Sequence, residues 1–155
     1  MKRAEQSTTL DYEGVRYSAD RAIDGNLSSQ SRTSLTTNSK WLKVYFNDTI
    51  GVRVGKVFVK KAYGHASCEY YVYVLNNAEL GETPSVTPSN GYCGKYSASM
   101  EYNKTVGCEG RNGTGVMIHM SCSNPTQNSL NIFEIQVFEE IGKQVYYFTS
   151  NLVVL

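Results

Sequence analysis

The chain has 155 residues, with 15 Lys and Arg against 14 Asp and Glu, and a formal net charge of +1. This length suits one domain, and we expect it to cover residues 1–140, with 141–155 as a C-terminal strand or docking tail. The near-neutral charge argues against a nucleic-acid-binding protein, which usually carries a basic excess. The 41% of hydrophobic residues argues against disorder.

Runs of alternating or continuous β-branched and aromatic residues predict strands, and helical periodicity is almost absent. In chain order, the predicted strands cover residues 40–46, 52–61, 69–75, 115–121 and 132–138, and residues 144–155 form a last strand or a docking tail. Alternation within 132–138 predicts that Phe133, Ile135 and Val137 face inward and that Glu134 faces outward. Many short strands between irregular loops favour a β-sandwich or jelly roll.

The four cysteines, Cys68, Cys93, Cys108 and Cys122, include no C-x-x-C pair. A zinc site is therefore a poor explanation, and two disulfides are a better one. The sequence permits three pairings, among which we favour Cys93–Cys108 as a local link, leaving Cys68–Cys122 as a longer one. The alternative is a cytosolic protein with four buried free thiols.

Four Asn-x-Ser/Thr sequons, at Asn26, Asn47, Asn103 and Asn112, are candidate N-glycosylation sites. Together with the paired cysteines they favour an extracellular, secreted or cell-surface location. Residues 1–7 carry no apolar stretch of the secretory type, so the expected location is not encoded by a visible signal in this chain. No apolar stretch reaches the ~18 residues of a membrane span.

Short segments spread along the chain share a pattern in their order and spacing. Residues 18–26 read SADRAIDGN, 40–46 read KWLKVYF, 56–59 read KVFV, 92–94 read YCG ahead of Cys108, 110–120 begin with Gly-Arg, and 131–138 read NIFEIQVF. Over residues 5–140 these segments resemble the motifs of F5/8 type C (discoidin-like) and F-type lectin domains, in which Cys93–Cys108 has a fucolectin-type counterpart. The resemblance implies an all-β, eight-stranded antiparallel jelly-roll β-sandwich of the galactose-binding-domain-like class.

The resemblance also implies a structural Ca²⁺ beside the turn formed by Asp24, Gly25 and Asn26. Oxygen ligands suit this hard ion, and Gly25 permits the sharp turn. A further hydroxyl ligand is expected between positions 30 and 34. The alternative is a plain β-turn with Glu134 in solvent. The implied ligands are three backbone carbonyls and two carboxylates, from Arg21, Asn26, Phe133, Asp24 and Glu134.

The fucose-binding motif of F-type lectins is absent from this sequence. Its His position falls near Thr33 and its Arg-x-Asp position at residues 62–64, so fucose specificity is not implied. The same loops carry basic and aromatic side chains that could contact another glycan or an acidic group. The alternative is that Lys60 and Lys61 are solvated charges at the end of a strand. These candidate ligand-binding residues are Arg32, Lys60, Lys61, Tyr63 and His65.

The sequence contains no nucleophile elbow, P-loop or H-E-x-x-H motif, so we expect no enzyme. It predicts a non-catalytic, lectin-like module that recognises a carbohydrate or glycoprotein surface through loops of a calcium-stabilised jelly roll. The alternative is a structural or assembly subunit of a larger extracellular complex. Such a subunit would dock other chains through a tyrosine surface and residues 141–155.

Overall fold

A computed structural model describes residues 3–36, 38–46, 51–62, 68–76, 91–97, 102–141 and 144–148. In these ranges no helix is long and apolar enough to cross a membrane. Two short 3₁₀ helices, Ala19–Ala22 and Pro125–Gln127, accompany the strands. The strands are β1 (Arg3–Gln6), β2 (Asp11–Tyr12), β3 (Val15–Arg16), β4 (Ser31–Arg32), β5 (Lys40–Tyr45), β6 (Val52–Lys61), β7 (Cys68–Leu75), β8 (Tyr92–Ser97), β9 (Asn103–Gly113), β10 (Gly115–Cys122), β11 (Asn131–Ile141) and β12 (Gln144–Phe148).

The strands form two five-stranded antiparallel sheets. Sheet A has the order β1-β5-β10-β7-β8; sheet B has the order β12-β11-β6-β9, with β4 also paired to β11. Strands β2 and β3 form a separate hairpin. The antiparallel jelly-roll β-sandwich is confirmed, and the described residues supply more strands than the expected eight because short strands extend both sheets.

The hydrophobic core lies between the two sheets and consists mainly of β-branched residues. Alternate positions of the strands point into it. The central strands of sheet A are also buried on their other face, where a second apolar cluster consists of Trp41, Tyr73, Leu75 and Met117. All five predicted strands before residue 140 are present as β5, β6, β7, β10 and β11. Central core residues are Leu42, Val44, Val72, Val116 and Ile118 from sheet A, and Val57, Val59, Val106, Ile135 and Val137 from sheet B.

Both favoured disulfides are present, so this pairing is confirmed and no cysteine is free. The Cys68–Cys122 bond joins two directly paired positions of the neighbouring strands β7 and β10 within sheet A. The Cys93–Cys108 bond joins β8 to β9, the edge strands of different sheets. One disulfide therefore ties strands within a sheet, and the other ties the two sheets together.

A β-bulge in β11 departs from the predicted alternation. The register with β6 shifts between Ile132 and Glu134, so Phe133 is an extra residue in the strand. Ile135 and Val137 face the core as predicted. The prediction for Phe133 and Glu134 is wrong, because Phe133 is only half-buried whereas Glu134 is 2% exposed.

Candidate functional site

The turn after the first 3₁₀ helix gathers oxygen atoms around the Ser29 hydroxyl. The Ser29 Oγ lies 3.2 Å from the carbonyl oxygen of Arg21, 2.6 Å from Oδ2 of Asp24 and 3.1 Å from the carbonyl oxygen of Asn26. A hydroxyl has one proton to donate, so it cannot satisfy three acceptors at once. The turn itself is held by the Asn26 amide, which donates to Oδ1 of Asp24 at 2.8 Å, and by Gly25, which adopts a φ of 77°.

Glu134 brings a second carboxylate to this turn from the far end of the sequence. The bulge in β11 turns its side chain inward, where Oε2 is buried and has no hydrogen-bond partner among the described residues. Burial, together with the negative charge of Asp24, raises the pKa of Glu134 to about 7, although the Gly25 amide donates to the carboxyl and opposes this. A buried carboxylate with an unpartnered oxygen beside a second carboxylate is unfavourable without a cation.

The oxygen atoms at this turn fit a hard divalent cation. Four of the five expected ligand residues, Arg21, Asp24, Asn26 and Glu134, are brought together, and Phe133 occupies the bulge immediately before Glu134. The hydroxyl among them belongs to Ser29, one residue before the expected range. No group of three or more His, Cys, Asp and Glu side chains suited to a metal occurs in the described residues. The oxygens here come from two carboxylates, a hydroxyl and the backbone, which is a mixture that Ca²⁺ accepts.

The two candidate lysines at the end of β6 have different surroundings. Lys60 is half-buried; its Nζ donates to the carbonyl oxygen of Leu27 at 3.1 Å and lies 5.7 Å from the ring centre of Phe133. Lys61 is 0% exposed and points into the sandwich, with Nζ 5.5 Å from the ring centre of Tyr70. Burial lowers the pKa of Lys61. Lys60 can therefore reach a ligand at the surface, whereas Lys61 presents no surface.

The position that corresponds to the lectin histidine has a structural role here. Thr33 is 1% exposed, its amide donates to the carbonyl of Leu130, and its hydroxyl accepts from the Leu130 amide at 2.9 Å. Thr33 therefore anchors β4 to the segment before β11 and does not face solvent. Of the remaining candidates, Tyr63 and His65 lie outside the described residues.

Arg32 belongs to a group that the sequence did not reveal, which we call the arginine–tyrosine cluster: Tyr17, Arg21 and Arg32. The guanidinium carbons of Arg21 and Arg32 lie 5.5 and 5.4 Å from the ring centre of Tyr17. All three side chains are half-buried. The backbone explains the proximity, because the Arg32 amide donates to the Tyr17 carbonyl at 3.1 Å. The bond between positions 17 and 32 is long-range, so no local motif predicts it.

The outer face of sheet A carries a second aromatic group. Tyr71 lies 6.2 Å from His119 and 6.4 Å from Tyr92, measured between ring centres. The Tyr71 hydroxyl and the Lys95 ammonium both donate to Glu69. Tyr92 is 39% exposed. Part of the tyrosine content therefore lies on the outside of the sandwich, and the stacked pair Tyr70 and Tyr96 lies inside it.

Three of the four sequons can be placed in the structure. Asn26, Asn103 and Asn112 are exposed, while Asn47 lies outside the described residues. Asn103 and Asn112 belong to β9, the edge strand of sheet B. Asn26 is different because its side chain accepts from the Ser28 amide within the turn that contains Asp24 and Gly25. N-glycosylation at these positions stays a prediction.

The sequence matches no protein-family model and no curated protein. Its fold is nevertheless that of several solved structures. A fucolectin from striped bass (Morone saxatilis) serum has a TM-score of 0.69 and 19% identity, over 90% of this chain and 45% of that one. A fucose-binding module of Streptococcus pneumoniae has a TM-score of 0.66 and 19% identity, over 90% and 92% of the two chains. Chitosan-binding module 1 of a Paenibacillus sp. IK-5 chitosanase/glucanase has a TM-score of 0.66 and 19% identity, over 88% and 93%.

These likenesses establish the fold of the chain. It is the galactose-binding-like sandwich that F-type lectins, fucose-binding modules and a family 32 carbohydrate-binding module share. The resemblance drawn from the short sequence motifs is therefore confirmed at the level of the fold.

Proposed function

We propose that the chain is a non-catalytic carbohydrate-binding domain in which a calcium ion fixes the N-terminal turn to β11. The observation that carries the proposal is the fold, which the chain has in common with solved structures named as lectins and as fucose-, chitosan- and galactose-binding modules. Sugar contact is assigned to the end of the sandwich where β4, β6 and β11 meet, because the half-buried basic side chains of Arg32 and Lys60 lie there.

The calcium part of the proposal is supported by the crowded oxygens around Ser29 and by the buried, unpartnered Oε2 of Glu134. The residues that would hold the ion are Arg21, Asp24, Asn26, Ser29 and Glu134, with the carbonyl of Phe133 as a further oxygen. A bound Ca²⁺ supplies positive charge that stabilises both carboxylates in their ionised form. Asp24 and Glu134 are far apart in the sequence, so the ion would join the turn at Asp24 to β11.

The absence of enzymatic activity is proposed on the same basis, since the named neighbours are binding modules and lectins. The two disulfides support an extracellular or secreted location, because such bonds persist in oxidising compartments. Neutral and anionic glycans both suit a domain of net charge +1.

The test is a glycan array that includes chitooligosaccharides and fucosylated and galactosylated glycans, probed with the full chain in calcium and again in EDTA. We expect binding to at least one glycan class in calcium and weaker binding in EDTA. Glu134→Gln should bind in calcium as the wild type does in EDTA. Arg53→Gln, which changes an exposed arginine of β6, serves as the matched control. Absence of binding to every glycan at high micromolar protein would overturn the proposal.

Protein docking is the second candidate function, and the position of β12 favours it. Within the described part of the chain, β12 is the last strand of sheet B, so one of its edges is not paired in that sheet. An unpaired strand edge can accept a strand from another chain. Deletion of residues 144–155 separates the two functions. If the shortened chain no longer assembles with itself or with a partner but still binds glycans, both roles are supported. If assembly and glycan binding both persist, docking through this segment is rejected.

A further inference from the structure

The arginine–tyrosine cluster lies beside both the start of β11 and the proposed calcium-binding turn formed by Asp24, Gly25 and Asn26. The carbonyl oxygen of Arg21 faces Ser29, while its guanidinium group reaches the ring of Tyr17. Arg32 approaches the same ring from β4 and is paired with Asn131 of β11. The attraction of both guanidinium groups to one tyrosine ring offsets part of the repulsion between these two neighbouring positive charges.

Hydrogen bonds fix the orientation of Arg32. Its Nε donates to Oδ1 of Asn131 at 3.1 Å, and the Ser129 hydroxyl donates to the same oxygen at 2.8 Å. A guanidinium group can only donate, so the atom it meets on Asn131 must be the oxygen. The amide nitrogen of Asn131 is therefore a further donor at this place.

The cluster contains donors and positive charge without a matching acid. None of the ion pairs in the described part of the chain involves Arg21 or Arg32. The two nearest acids along the chain are engaged elsewhere: Asp20 accepts from the Ala4 amide at 3.4 Å, and Asp24 belongs to the oxygen cluster at Ser29. Most surface arginines are spread among acids, so two arginines on one ring with no carboxylate partner form an anion-binding arrangement.

We propose that the arginine–tyrosine cluster recognises an anionic oxygen group, a sulfate or a carboxylate, on the bound glycan. The proposal rests on the glycan-binding function above and names the class of glycan. Each guanidinium presents two parallel donors that match two oxygens of such a group. Because Tyr17 and Asn131 hold the arginines in place before binding, little further ordering is needed when the ligand arrives. Arg32 lies on β4 and is paired with Asn131 of β11, so the anion site is at the end of the sandwich to which sugar contact is assigned above.

The test measures the affinity of the full chain, in calcium buffer, for three forms of one probe by calorimetry. The forms are a heparin octasaccharide, the same octasaccharide desulfated and N-acetylated, and a desulfated form whose carboxyl groups are reduced. We expect an anionic form to bind about tenfold or more tightly than the neutral form, because hydrogen bonds to charged groups are strong. Preference for the sulfated form alone identifies sulfate, and equal preference for both anionic forms identifies carboxylate.

The double variant Arg21→Gln and Arg32→Gln should lose this preference, and Arg53→Gln should keep it. Arg32→Lys retains the charge without the paired donors and should reduce the preference only in part. Melting temperatures of all variants establish that they fold. Equal affinity for the three forms, or a preference that survives in the folded double variant, would overturn the inference. If the array detects neutral glycans while no anionic preference exists, the proposed function stands and this inference fails; if no glycan binds in either experiment, both fail.

Discussion

At the scale of single residues, the molecule places ionisable and polar groups where only specific partners make them stable. Glu134 is the clearest case, because its buried carboxylate has an unpartnered oxygen beside Asp24. A proton or a cation can relieve this arrangement. The alternation of β11 assigns this acid to solvent, but the structure buries it, as the proposed role of calcium ligand requires.

Replacement of Glu134 by glutamine distinguishes the destabilising effect of a buried charge from the stabilising effect of calcium binding. Without calcium, Glu134→Gln should melt at the same temperature as the wild type or higher, because a neutral amide is easier to bury. Wild-type protein should gain about 5–10 °C when calcium reaches about 100 times its dissociation constant, and the variant should gain little. Differential scanning calorimetry in EDTA and in calcium measures both. Equal calcium-induced gains in the two proteins would contradict the metal assignment.

His119 predicts how stability responds to acid. Its Nδ1 is buried without a hydrogen-bond partner, and burial lowers its pKa below 6.5. The unfolded chain therefore takes up a proton that the folded chain resists, so the free energy of unfolding falls as the pH drops through about 6.5. His119→Phe cannot titrate, and its melting temperature should fall less than that of the wild type between about pH 7.5 and about pH 5.5. Parallel melting curves in matched buffers provide the comparison, and identical losses would exclude His119 as the cause.

At the scale of strands and turns, close contacts between backbone segments limit which side chains fit at particular glycine positions. Gly91 lies just before β8, and its carbonyl accepts from the Val74 amide at 2.8 Å. A Cβ at this position would lie 1.9 Å from the Val74 carbonyl oxygen, which is backbone and cannot rotate away. A Cβ built on Gly107 in β9 would instead have no described atom within 4 Å.

These two glycines form a matched pair for mutagenesis. Gly91→Ala should lower the free energy of unfolding by about 3 kcal/mol or more, since the β7–β8 pairing must shift to admit the methyl group. Gly107→Ala should change it by less than about 0.5 kcal/mol. Urea denaturation of both variants measures the difference, and a Gly91→Ala protein as stable as Gly107→Ala would refute the steric argument.

Strands with strong apolar patterns could be predicted from the sequence, and weakly patterned ones could not. β5, β6, β7, β10 and β11 are rich in β-branched and aromatic residues, because their inner faces form the core. β8 and β9 are edge strands with polar residues and glycine, so their sequences carry no clear strand pattern. The inward turn of Glu134 depends on a bulge, and the meeting of Tyr17 with Arg32 depends on long-range pairing. Neither feature can be predicted from the alternation of apolar and polar residues within one segment.

At the scale of the whole molecule, the sandwich is closed along one side by a covalent bond. Cys93 and Cys108 lie on the edge strands of opposite sheets, so their disulfide links the two layers covalently. Cys68 and Cys122 instead lie side by side in one sheet, where backbone hydrogen bonds already join β7 and β10.

Removing each disulfide tests these two roles. In the chain-entropy treatment, the bond across 15 residues contributes roughly 3 kcal/mol and the bond across 54 residues about 4. We expect the double variant Cys93→Ala and Cys108→Ala to lose at least as much stability as Cys68→Ala and Cys122→Ala. The Cys93–Cys108 loop is shorter, but only this disulfide joins the two sheets. Chemical denaturation of the two double variants compares them directly. A markedly smaller loss from the Cys93–Cys108 pair would mean that loop length alone governs the effect.

The nesting of the two disulfides also determines how the molecule would respond to tension. The Cys68–Cys122 bond encloses a stretch with a sequence separation of 54, and the Cys93–Cys108 bond lies inside it. A pulling force applied through β1 and β12 would pass across the outer bond and could not draw out the enclosed stretch. At ~3.4 Å per extended residue, reduction would release roughly 180 Å of additional chain. An oxidised molecule pulled in this way would therefore extend only through residues that lie outside the stretch between Cys68 and Cys122.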